Sequence, residues 1–144
     1  MSRRSRSARF FNGIRGEGRV LKLLKTYGRS CVKQPRQAAF DILVDGWRLD
    51  VKTAARSLRQ DQDRWIFNLH HSGRQITECD FFVLRLEDFP GPDSPIHLLL
   101  DAPFPALTVT VTAQSLKCVW PRHAAKFFRF LLGEYGIKPG GSIT

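Results

Sequence analysis

Two periodicities take turns along the chain. Between residues 16 and 27 the apolar side chains of Val20, Leu21, Leu24 and Tyr27 recur at the three- and four-residue spacing of one helical face, and Gly28 stands where such a helix stops. A short strand is expected at 30–33. Residues 39–44 and 47–53 then read as strands, and the Asp45-Gly46 pair between them suits a two-residue hairpin, whose type I′ turn needs positive φ at both central positions. Residues 64–70 alternate, with Trp65, Phe67 and Leu69 to one side. The run 81–86 is mostly apolar on both faces, as in a central strand covered from above and below. Further strands are expected at 96–100 and 107–112. Pro121 opens a second helix, with Ala124, Phe127, Phe128, Leu131 and Leu132 as its core-facing stripe and Gly133 as its end. Residues 1–9 form a Ser/Arg arm with nothing to bury, expected to be disordered until a partner arrives, and 138–144 read as a flexible Pro/Gly tail.

Counting outward from the two-residue turn sets the hairpin register: Val44 with Trp47, Leu43 with Arg48, Ile42 with Leu49, Asp41 with Asp50, Phe40 with Val51 and Ala39 with Lys52. One face then carries Phe40, Ile42, Val44, Trp47, Leu49 and Val51, all apolar. The other carries Ala39, Asp41, Leu43, Arg48, Asp50 and Lys52. A slip of one residue would mix the two sets, so the pattern supports this register. Asp41 and Asp50 are thereby expected opposite one another with Cβ atoms about 4.5–5.5 Å apart, where like charges destabilise a sheet. A hard divalent cation such as Mg²⁺ would neutralise them, completing its shell with water and phosphate oxygens. Lys52 lies on the same face, diagonal to Asp41 and within reach of a phosphate. Two acids, a lysine and a cationic approach suit phosphodiester hydrolysis. The plainer alternative is a solvated hairpin face on which Lys52 partly offsets the acids.

The charge is unevenly placed. The first 36 residues hold 11 Lys and Arg against the single acid Glu17, whereas the remaining 108 hold 12 of each sign. Arg15, Arg19, Lys22, Arg29 and Arg36 belong to this cationic quarter, whose field suits a polyphosphate backbone. Nucleic acid is the first partner to consider. Glu17 projects from the edge of the apolar stripe, where a carboxylate in the first helical turn is favourable by some tenths of a kcal/mol. A length of 144 residues suits one domain with its own core. Three scattered cysteines with no CxxC pair argue against a zinc cluster or redox dithiol and read as reduced thiols of a cytoplasmic protein. No apolar run approaches the roughly 20 residues of a membrane span. The glycines 13, 16 and 18 match no dinucleotide fingerprint, and P-loop and Gly-x-Ser-x-Gly patterns are absent, so no small organic cofactor is expected. His70 and His71, adjacent on a strand, point to opposite faces and cannot share a metal. Trp47, Trp65 and Trp120 read as core aromatics.

An acid on one strand, a tight turn, then Asp50-Val51-Lys52 on the next resembles the PD-(D/E)XK nuclease superfamily, whose small members include archaeal Holliday junction resolvases and certain group I intron homing endonucleases. Phe40 stands where the motif name has proline. The order of elements is also similar over roughly residues 13–100: helix, short strand, acid-bearing hairpin, an aromatic-rich strand, then Cys79-Asp80-Phe81-Phe82-Val83-Leu84. The 64–86 stretch looks closer to the homing-endonuclease branch. The resemblance implies an α/β, restriction-endonuclease-like fold: a mixed central sheet flanked by an N-terminal and a C-terminal helix, as one nuclease-like domain over 10–137. It implies a Mg²⁺-dependent DNA endonuclease, with Mn²⁺ as a substitute, acting in the cytoplasm at the nucleoid and leaving a 5′-phosphate. Asp41, Asp50 and Lys52 would be catalytic. Asp41, Asp50, Glu17 and the Val51 carbonyl would hold the metal. Arg15, Arg19, Lys22, Arg36, Arg56 and Arg59 would contact DNA. Cutting both strands with one site per chain implies a homodimer or larger homo-oligomer. A DNA-binding module without catalysis and an RNA-associated protein using the Arg/Ser arm remain open alternatives.

Overall fold

The structure, a computed structural model, describes residues 6–35, 38–71, 74–75 and 78–140. Its elements, in chain order, are α1 (Arg6–Thr26), β1 (Cys31–Lys33), β2 (Ile42–Val44), β3 (Trp47–Ala54), β4 (Ser57–Arg59), β5 (Gln62–Asn68), β6 (His70–His71), β7 (Arg74–Gln75), β8 (Phe81–Leu86), β9 (Ile96–Asp101), β10 (Thr108–Thr112), α2 (Ser115–Cys118) and α3 (Pro121–Leu131). Five strands in the order β1-β2-β3-β8-β9 make a mixed central sheet, parallel only between β3 and β8. A smaller antiparallel sheet runs β10-β5-β4, and β6 pairs with β7. Among the described residues no helix is long and apolar enough to cross a membrane.

Strand parity sorts the core into two layers. In register across the central sheet, Val51, Val83 and Leu99 form one buried row, covered by Val20 and Leu24 of α1 and by Phe127, Phe130 and Leu131 of α3. The opposite face carries Phe82, Leu84, Leu98 and Leu100, packed on Trp65, Phe67, Val109 and Val111 of the small sheet. All six residues of β8 are buried, as expected of a doubly covered strand. Each large apolar side chain so covered stabilises the fold by about 1.5–3 kcal/mol before entropy is counted. The Asp45-Gly46 turn has φ of 49° and 83°, the positive values a type I′ turn requires. Arg29 braces it from the far side by donating to the Asp45 carboxylate and to the Phe130 carbonyl.

Several expected bounds move. Helix α1 starts at Arg6, ten residues before the expected position, so residues 6–9 of the expected arm are helical backbone. Residues 57–59, expected as loop, form β4 and close a hairpin on β5. Lys138, the first residue of the expected flexible tail, donates its N–H to the Asp45 carbonyl at 2.9 Å and its ammonium to Asp80 at 2.8 Å. Residues 1–5 and 141–144 lie outside the described residues.

Candidate active site

The hairpin register holds for Ile42 with Leu49, Leu43 with Arg48 and Val44 with Trp47, and the ladder stops there. The pairings expected beyond it, Asp41 with Asp50, Phe40 with Val51 and Ala39 with Lys52, do not form. Asp41 instead donates its N–H to the Leu49 carbonyl at 2.8 Å, one residue short of the expected partner. Its carboxylate Oδ2 accepts the Val51 N–H at 2.7 Å, supplying by side chain the acceptor that the ladder no longer provides. This local bulge re-aims the chain before β2, and Phe40 packs with the small-sheet cluster rather than with Ile42 and Leu49 as expected.

The departure still brings the acids together. Asp50 and Lys52 share the face of β3 that the small sheet covers, and Asp50 lies in register with the buried Phe82 and Leu100, at 6% exposure. The Asp41 carboxyl reaches that of Asp50, and Glu17, on the α1 turn facing β3, reaches Asp41. Burial pushes the Asp50 carboxyl up to about 7, with Asp41 adding to the rise and Lys52 opposing it. Burial likewise lifts Asp41 to about 6, against the Val51 N–H and reinforced by Glu17. Glu17 is raised chiefly by burial, and the positive charge of Lys33 opposes the shift. The Val51 N–H points to the β2 side of β3, and in a strand the carbonyl of the same residue faces the same way, so the Val51 carbonyl opens toward Asp41.

Lys52 Nζ lies 3.2 Å from Asp50 Oδ2, yet that oxygen is buried with no donor in hydrogen-bond geometry. Among the described residues no set of three or more His, Cys, Asp or Glu side chains is arranged to hold a metal ion. The donors nonetheless fit a hard divalent cation: they are all oxygen, the carboxyls hold protons above the ordinary carboxylate range because they are crowded and desolvated, and the buried Asp50 Oδ2 has the Lys52 charge beside it but accepts no hydrogen bond among the described residues.

Lys52 also lines a groove of about 790 Å³ together with Arg15, Arg19 and Arg56. It therefore links the buried acids to a groove whose lining has four cations against the two acids Glu87 and Asp88. Arg15 and Arg19 reach the groove from α1, and Arg56 from the link between β3 and β4, where it faces Asp63 at 3.8 Å. Lys22 and Arg59 are exposed but lie outside the groove lining, and Arg36 falls outside the described residues. Arg29 leaves the expected cationic surface altogether, its side chain 7% exposed and tied to Asp45. Burial pushes the Cys79 thiol up to about 12, which leaves it unreactive beside the site. Ile66 and Asn68 of β5 complete one wall of the groove; strand alternation gave their outward orientation but not what they border.

The chain thus has a mixed α/β architecture, a five-stranded mixed sheet flanked by helices, similar to a homing endonuclease fold. The solved structure of a bacterial homing endonuclease, I-Ssp6803I, matches it with a TM-score of 0.65 at 11% sequence identity, over 87% of this chain and 93% of that one. Neither a protein-family profile nor any curated protein matches the sequence.

Proposed function

We propose that this chain is a divalent-metal-dependent DNA endonuclease of the PD-(D/E)XK type. The observation that carries the reading is Lys52, whose ammonium sits 3.2 Å from a buried carboxylate and opens into a groove walled by Arg15, Arg19 and Arg56. Asp41 and Asp50, with Glu17 and the Val51 carbonyl, would hold Mg²⁺ or Mn²⁺, which when bound supplies Lewis acidity and charge neutralisation at the scissile phosphate. Lys52 orients the attacking water and offsets charge developing on the phosphate oxygens. The water oxygen bonds to phosphorus as the P–O3′ bond breaks, the proton passes to the leaving oxygen, and a 5′-phosphate remains. The arginines of the groove hold the backbone on either side of the cut. One site severs one strand, so cutting a duplex through uses a homodimer or larger assembly.

The test is incubation with linear, nicked and branched duplexes in Mg²⁺, with cut positions mapped. Lys52→Ala and Asp50→Ala should each abolish cutting, and so should chelation of the metal. Cutting that survives either substitution would show that the chemistry lies elsewhere. Binding without cutting by the parent chain would leave a DNA-binding module in place of an enzyme.

A further inference from the structure

Resting on the reading of the chain as a DNA-cutting enzyme, we propose that the outward face of the β5–β10 ladder is a base-reading surface, seated in the major groove of duplex DNA beside the cut. The ladder places three outward pairs side by side: Arg64 with Thr112, Ile66 with Thr110 and Asn68 with Thr108. Its inward residues are buried, while Ile66, Asn68, Thr108 and Thr110 are exposed and Arg64 and Thr112 are half-buried at the end of the ladder. None is acidic, although acids equal bases over residues 37–144. At its centre Ile66 is 48% exposed, an apolar branched side chain among hydrogen-bonding ones. The face is also continuous with the candidate site, because Ile66 and Asn68 line the same groove as Lys52. Strand β4 pairs with β5 only as far as Arg64, so, among the described residues, positions 65–68 have a strand neighbour on the β10 side alone.

The dimensions fit the occupant. Paired strands lie about 4.8 Å apart, and the major groove, about 12 Å wide, admits a two-stranded ribbon. Outward side chains advance about 6.8 Å per two residues, close to two base-pair steps of about 3.4 Å, so Arg64, Ile66 and Asn68 address positions spread over about four base pairs. The chemistry fits as well. An asparagine amide reads the N6 and N7 edge of adenine, an isoleucine or threonine methyl packs on the thymine methyl, and an arginine reads guanine. Thr108 Oγ1 donates to Asn68 Oδ1 at 3.4 Å, beside the amide it would orient.

The experiment selects bound duplexes from a randomised pool with the full chain carrying Lys52→Ala, which prevents cutting, and repeats the selection after adding Asn68→Ala or Ile66→Ala. The starting chain should enrich a motif. Asn68→Ala should lose discrimination at one adenine-bearing position and Ile66→Ala at a neighbouring thymine, each by roughly ten- to hundred-fold, with the remaining positions retained. Both side chains face solvent, and matching thermal melts confirm that the variants are folded. No motif from the starting chain, or a motif that neither substitution changes, would overturn the proposal. A separate cutting assay of the parent chain tells the two readings apart: if it does not cut DNA, the nuclease reading fails while the base-reading face is judged by the selection alone.

Discussion

Asp50 occupies a place in the sheet that an aliphatic residue would fill without electrostatic cost, since its neighbours across the strands are the buried Phe82 and Leu100. The raised values of about 7 for Asp50 and about 6 for Asp41 measure that cost. At pH 8 without divalent cations, Asp50→Asn should therefore stabilise the fold by roughly 1–3 kcal/mol, several degrees in a chain of this size, while removing the activity. Added Mg²⁺ should raise the melting temperature of the parent chain and leave the variant unmoved. A variant less stable than its parent would mean that Asp50 is anchored by structure rather than held ready for a cation. His97 carries the opposite sign. Burial, with the charge of Arg85 beside it, lowers its imidazole to about 3, and it stays neutral with Nε2 2.8 Å from Arg85 Nη1 while its ring stacks on Phe127. Below pH 6.5 the unfolded chain takes up this proton and the native chain does not, so stability present at neutral pH drains away as pH falls from 6.5 toward 3, by up to about 1.4 kcal/mol per pH unit. Melting temperatures measured from pH 7 to pH 4.5 should fall less steeply in His97→Gln, which retains an acceptor for Arg85 without a proton to gain.

At the scale of elements, the approach of α1 to β3 decides whether Glu17 can join the two aspartates. A Cβ at Gly16 would meet the Thr53 Cβ at 3.1 Å and overlap its hydroxyl, whereas one at Gly18 would meet nothing within 4 Å. Helix propensity alone says that alanine at either position gains about 1 kcal/mol. Contact reverses the sign at the first: Gly18→Ala should stabilise by up to about 1 kcal/mol, and Gly16→Ala should destabilise and lower cutting as Glu17 moves off Asp41. Urea unfolding of the two variants checks this, and equal gains at both would show that α1 does not rest on β3 as closely as the geometry says. The same junction shows what was legible beforehand. The Asp-Gly turn and the doubly apolar β8 announce themselves because local backbone chemistry and periodicity suffice to specify them. The expected stripe of α3 holds at Phe127 and Leu131 but fails at Phe128 and Leu132, which are half exposed, and misses the buried Phe130, because the sequence does not show how far the helix is rotated on the sheet. The bulge at Asp41 is invisible to alternation, since it exists only because a side chain takes the place of a ladder acceptor. Strand β4 was hidden for a related reason: Ser57–Arg59 is exposed at all three positions and has no inward face to show. Counting parity put Asp50 and Lys52 on one face, but only the packed small sheet shows that this face is covered.

At the scale of the whole molecule the question is which of the clustered cations serve a ligand and which serve the fold, and linear charge density cannot separate them. Arg19 and Arg29 lie ten positions apart in the same basic stretch, yet Arg19 is exposed on the groove and Arg29 is locked between the hairpin turn and α3. A phosphate contact releases condensed counterions, so the logarithm of duplex affinity falls against the logarithm of salt with a slope near −0.9 per contact. Arg19→Ala should weaken every duplex sequence alike and reduce that slope by about 1, with little change in stability. Arg29→Ala should leave the slope of the folded fraction unchanged but destabilise the chain by about 3–5 kcal/mol, because it abandons the part-buried Asp45 carboxylate and the Phe130 carbonyl. Fluorescence anisotropy across a salt series, paired with thermal melts, reads both quantities. If Arg19→Ala kept the parent's slope, duplex DNA would not run through the groove that Lys52 enters, and the path of the substrate would have to be sought on another face.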